Sequence, residues 1–76
     1  MNTELRALVA DVLGIDAGDI GPGSGPGTTE NWDSLAHLSI ITAIEERFGI
    51  KFGMAEIRGF DNLETMSQAL AARLDG

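Results

Sequence analysis

Apolar side chains at Leu5, Leu8, Val9, Val12 and Leu13 recur at the i, i+3, i+4, i+7, i+8 spacing of one helical face, which predicts an amphipathic helix over residues 3 to 13. Gly14 is placed to end it. From Ile15 to Asn31 the periodicity lapses into a long connection, and every second residue from Gly21 to Gly27 is glycine, with Pro22, Ser24 and Pro26 between, so that neither helix nor central strand can form there. Ile15 and Ile20 are expected to pin the start of this loop to the core while the glycine-proline segment spans the distance between two helix ends. A domain boundary in the loop is disfavoured, because the short helix before it could not bury its face alone.

The pattern resumes at Ser34. Over residues 34 to 48, His37, Ile40, Ile41, Ile44 and Phe48 fall within an arc of roughly 100°, the width of a core-facing stripe, with His37 near its centre. Leu35 and Leu38 lie roughly 110° to 170° from that stripe, beside Thr42, Glu45 and Glu46. Either loop residues or Trp32 cover these two leucines, or they form an exposed apolar strip with an acidic rim, suited to docking on basic partner clefts. Gly49 closes the helix, Ile50 to Phe52 read as extended, and Met54 to Arg58 reads as a short helix that Gly59 interrupts. Asp61 with Glu64 predicts a capping box for a last helix whose apolar face is Leu63, Met66, Leu70 and Leu74. The fold expected is all-α: a small four-helix bundle of three main helices and one short one, with a long first loop and Phe48, Phe52 and Phe60 as the large core side chains.

Composition narrows what such a bundle can do. At 76 residues the chain is expected to be one domain, 1–76, and it has no cysteine for a disulfide, a thiolate metal site or a nucleophile. Twelve acidic against five basic residues give a net charge of −7, which repels nucleic acids and anionic membranes and favours partners with basic surfaces. With no signal peptide and no apolar run of membrane-spanning length, a monomeric cytoplasmic protein is expected.

Candidate chemistry is sparse. The glycine loop lacks both the G-x-G-x-x-G spacing and a P-loop lysine, prolines stand where a G-x-S-x-G elbow around Ser24 needs glycine, and Asp16 and Asp19 are misplaced for a calcium loop. No metal cluster is evident. His37, the single histidine, reads as a packed neutral side chain, and a Ser34–His37 dyad lacks a group to orient it. Glu45 and Glu46 read as solvated surface, so no intrinsic catalysis is expected. Asp33 stands out. It is a good N-cap, which makes Ser34 the first helical residue, beside unpaired N–H donors and the positive end of the helix dipole. A phosphate esterified to Ser34 would be stabilised where it was attached.

Asp33-Ser34-Leu35, followed by an amphipathic helix ending Ala43-Ile44-Glu45-Glu46-Arg47-Phe48-Gly49-Ile50, resembles the acyl carrier proteins, and the helix lengths and long first loop are similar to that family over essentially the whole chain. The resemblance implies that Ser34 is the attachment point of 4′-phosphopantetheine, transferred from coenzyme A by a separate magnesium-dependent phosphopantetheinyl transferase, with Asp33 and Leu35 flanking the site and Asp33 assisting. The arm's thiol carries acyl groups as thioesters to acyl-transferring or condensing enzymes, which explains how a chain without cysteine takes part in thioester chemistry. The docking strip is then Leu35, Leu38, Thr42, Glu45 and Glu46.

Departures bear on the pathway. Carriers of fatty acid synthesis usually have acids two and five residues after the serine, where this chain has Ala36 and Ser39, and Arg47 interrupts the acidic run. Trp32 before Asp33 looks more like free-standing carriers of polyketide or mixed polyketide–peptide pathways, and a start at Met1 fits a discrete protein. An aminoacyl or peptidyl carrier is the alternative within the fold, and an unmodified helical docking module the alternative of a different class.

Overall fold

The computed structural model describes residues 2–75, the side chain of Asp75 excepted. Four helices follow in order, α1 Thr3–Leu13, α2 Ser34–Phe48, α3 Met54–Arg58 and α4 Leu63–Asp75, and there is no strand among the described residues. Three of the ends have a local cause. Asn2 Oδ1 accepts from the Glu4 and Leu5 N–H groups at 2.8 and 3.2 Å and starts α1. Gly14 and Gly49 sit at φ 70° and 66°, and the N–H of the next residue reaches back to Ala10 and Glu45 carbonyls, both at 3.1 Å, closing α1 and α2 in the left-handed turn that glycine adopts without strain.

The core is built from the predicted faces. Leu5, Val9 and Leu13 of α1, Ile40, Ile41 and Ile44 of α2, and Leu63, Met66 and Leu70 of α4 are buried together, each worth about 1.5–3 kcal/mol relative to exposure. Phe52 and Phe60, on either side of α3, meet edge to face at 5.0 Å between ring centroids. Three assignments change. Phe48 is only partly buried, Leu74 is exposed, and Trp32 is the large aromatic that joins the core from the loop. Trp32 is drawn inward by the backbone on both sides of it.

The long loop does more than span a distance. Asp16 caps a 3₁₀ turn over Ala17–Asp19, which delivers Ile20 into the core. Beyond it, the Ser24 carbonyl accepts from Leu63 N–H at 2.7 Å and the Pro22 carbonyl from Glu64 N–H at 3.0 Å, so the glycine-proline segment satisfies the first donors of α4. This displaces the expected Asp61–Glu64 box. With the Glu64 N–H committed to Pro22, Asp61 has no N3 donor to accept from, and the cap moves one residue on, to Asn62 Oδ1 accepting from Thr65 N–H at 3.0 Å.

Candidate functional site

The start of α2 is held from the loop side by a run of hydrogen bonds. Thr29 O accepts from Trp32 N–H at 3.1 Å, Trp32 O accepts from Gly27 N–H at 3.2 Å, and the Asn31 side-chain amide donates to Leu13 O, at the end of α1, at 3.0 Å. Asn31 itself is left-handed, φ 68°, a conformation asparagine tolerates better than other side chains with a Cβ. This geometry turns Trp32 inward to 2% exposure, and its indole N–H donates to Nδ1 of His37 at 3.0 Å.

Asp33 follows in extended conformation, its Oδ1 accepting from Ala36 N–H at 2.8 Å, while the Asp33 carbonyl accepts from His37 N–H at 2.9 Å. Asp33 is thus the N-cap and Ser34 the first helical residue, with its side chain exposed. Among the described residues, neither the Ser34 hydroxyl nor the N–H groups of Ser34 and Leu35 make a hydrogen bond within the protein. An exposed hydroxyl beside two uncommitted donors at the positive end of a 15-residue helix fits a phosphate ester.

His37 is not at the centre of the core stripe. It is half-buried at the stripe's end, because the buried indole lies against it and takes up the inner position. Burial holds its pKa below the ordinary 6.5, and the indole donor requires a neutral ring with Nδ1 free of a proton. Since the folded state binds the second proton less readily than the unfolded chain, stability is full above pH 6.5 and falls as the pH drops from there toward the depressed folded value. Chemical denaturation of the wild type at pH 7.5 and 5.5 should show that loss, and His37→Asn should show less of it.

On the outer side of α2, Leu35 and Leu38 are 74% and 58% exposed, with Thr42 and Glu46 exposed beyond them. Trp32 does not cover them. Glu45 is corrected: its side chain is only 15% exposed, one oxygen accepting from Phe52 N–H at 2.9 Å and the other 3.9 Å from Lys51 Nζ, so it ties down the α2–α3 segment in place of joining the strip. The helix turn that aligns it with Leu38 also brings it over the chain leaving Gly49, where a backbone donor needs a partner. Arg47 is likewise engaged, with Glu4 of α1 at 2.7 Å. Met54, the first residue of α3, is also exposed, and periodicity did not single it out, since one and a half turns carry too little pattern. The Trp32–His37 pair was equally illegible, because it joins a loop residue to a helix residue across a cap. Small Ala43 lines an open groove of about 530 Å³ between α1 and α2, beside Leu8 and Val12. No helix among the described residues is long and apolar enough to cross a membrane.

Residues 3–70 match the family model described as the phosphopantetheine attachment site. The chain is also 30% identical over 71 residues to the polyketide-8 synthase acyl carrier protein 2 of Streptomyces avermitilis, an alignment covering 93% of this chain and 82% of that protein.

Proposed function

Because the chain belongs to the acyl carrier proteins, which bear 4′-phosphopantetheine and carry acyl groups without catalysing their transformation, we propose that Ser34 is where the arm is attached and that residues 1–76 act as one carrier domain. The observation that supports it is the start of α2, where an exposed serine hydroxyl stands first after an aspartate cap, beside uncommitted backbone donors. When bound, the arm supplies a terminal thiol that holds acyl groups as thioesters. This chain supplies the hydroxyl that accepts the phosphoryl group, the Ser34 and Leu35 N–H groups that face the resulting charge, and Asp33. The Asp33 Oδ1 is committed to Ala36, and its second oxygen remains to assist the transfer from the transferase's side of the site.

The partners are a phosphopantetheinyl transferase, then acyl-transferring or condensing enzymes, met by a monomer in the cytoplasm through Leu35, Leu38, Thr42 and Glu46. The name of the Streptomyces relative supports a polyketide pathway. Ala36 and Ser39, in places where acids would strengthen a basic partner's grip, leave the strip apolar in character and select partners that rely less on charge. Leu35→Asp and Leu38→Asp should therefore lower acyl transfer between enzymes by about tenfold or more, with far-UV circular dichroism unchanged since both side chains are exposed. Loss of helical signal in both would place them in the core.

Intact mass after incubation with coenzyme A, magnesium and a promiscuous phosphopantetheinyl transferase tests the attachment. The expected result is a gain of one phosphopantetheinyl group. A folded chain that gains nothing would leave Asp33-Ser34 as no more than a helix cap.

A further inference from the structure

The hydrogen bond from Trp32 to His37 closes a ring around the residues that form the site. Trp32 immediately precedes Asp33, and His37 lies one turn beyond Ser34 on the same helix, so the bond spans Asp33 to Ala36 from outside. Its two ends belong to different bodies. The indole is buried, the Trp32 backbone N–H donates to Thr29 O and its C=O accepts from Gly27 N–H, and the neighbouring Asn31 side-chain amide donates to Leu13 O of α1. The imidazole belongs to α2. The Asp33–Ala36 cap, by contrast, links the first turn only to itself. A local cap shapes a turn without fixing how that turn stands relative to the rest of the protein; the side-chain bond joins it to the loop.

We infer that His37 is a positioning residue: by accepting the Trp32 indole N–H it clasps the first turn of α2 to the loop and α1, and so fixes how the Ser34 hydroxyl is presented to the enzyme that modifies it. This rests on the reading of Ser34 as the attachment point. The chemistry of the clasp is specific. It needs an acceptor at the place of Nδ1 and a donor at the place of Nε1, and nothing else of either ring. A residue that only filled space would have no such requirement.

Three variants separate the two cases. His37→Asn puts an amide oxygen close to the position of Nδ1. His37→Leu fills the site without an acceptor, and Trp32→Phe keeps an aromatic ring without the donor. Phosphopantetheine transfer from coenzyme A is followed at a temperature where circular dichroism shows each variant folded. His37→Leu and Trp32→Phe are expected to lower kcat about tenfold with KM changed less than twofold, because docking is intact and only the placement of the hydroxyl is lost. His37→Asn is expected to remain close to wild type. Wild-type kcat in folded His37→Leu and Trp32→Phe overturns the clasp, as does a His37→Asn variant as slow as His37→Leu.

A second readout needs no transferase. Amide hydrogen exchange at Ala36 should quicken several-fold in His37→Leu and stay near wild type in His37→Asn, whereas equal exchange in both overturns the inference. If the wild-type chain takes up no phosphopantetheine, the Ser34 reading fails by itself, and the Ala36 exchange still decides whether the clasp holds the turn.

Discussion

With Ser34 replaced by alanine, uptake of phosphopantetheine is expected to fall to nothing while the fold is retained. The transfer forms the bond from the Ser34 oxygen to the phosphorus of the pantetheine arm as the diphosphate bond of coenzyme A breaks; adenosine 3′,5′-bisphosphate leaves, the Ser34 proton passes to a base or to solvent, and alanine has no atom with which to form that bond. No neighbouring hydroxyl substitutes. Ser39 lies more than a turn further along α2, and Thr28 and Thr29 already bond within the loop, Thr28 to Gly25 O at 3.1 Å and Thr29 to Gly25 N–H at 3.0 Å. Stability should change by less than about 0.5 kcal/mol, because Ser34 is exposed, makes no hydrogen bond through its side chain among the described residues, and alanine is the better helix former. Intact mass and a thermal melt read both halves of the expectation. Uptake by Ser34→Ala at the wild-type level would move the attachment to another hydroxyl.

Gly25→Ala is expected to be the most damaging single methyl group in the protein. A Cβ on Gly25 would stand 2.4 Å from the Asp61 carbonyl oxygen and 3.1 Å from Asn62 Cα, both backbone atoms that cannot swing aside as the end of a side chain can. The loop must lift from the α3–α4 junction. Lifting strains the bonds from Leu63 N–H to Ser24 O and from Glu64 N–H to Pro22 O, which supply the first turn of α4 with acceptors. Overpacking together with two weakened hydrogen bonds should cost about 2–4 kcal/mol, which for a chain of this size lowers Tm by roughly 10–25 °C. Gly21→Ala and Gly23→Ala are the controls, because a Cβ at either meets nothing within 4 Å. Similar losses in all three variants would mean that glycine freedom in the loop, and not close approach at Gly25, is what matters.

Both expectations mark where sequence reasoning reached and where it stopped. The helices were legible because their apolar faces repeat and several ends carry their own signal, Asp33 before Ser34 and Gly14 and Gly49 after the last apolar turns, whereas the start of α4 is capped at Asn62 and from the loop. The geometry of the candidate site was legible for the same reason, since a cap and the residue after it are neighbours in the chain. The outward strip of Leu35 and Leu38 could be placed from helical angle alone, and their exposure agrees with it. The same angle misplaced His37 and Glu45. It reports the direction in which a side chain leaves the helix and nothing about what waits there, and in both positions a partner from another segment was waiting: the Trp32 indole for His37, the Phe52 N–H for Glu45.

The local hydrophobic period and the capping residues alone determined that this chain forms an all-α bundle with an aspartate-capped serine opening its central helix, because those interactions span at most a few turns. Only the tertiary structure decided that the glycine-proline loop caps α4, that Gly25 must lack a side chain, and that Trp32 lies in the core with its indole on His37. Each of these pairs groups from separate segments, and a buried donor takes whichever acceptor the packing brings within reach.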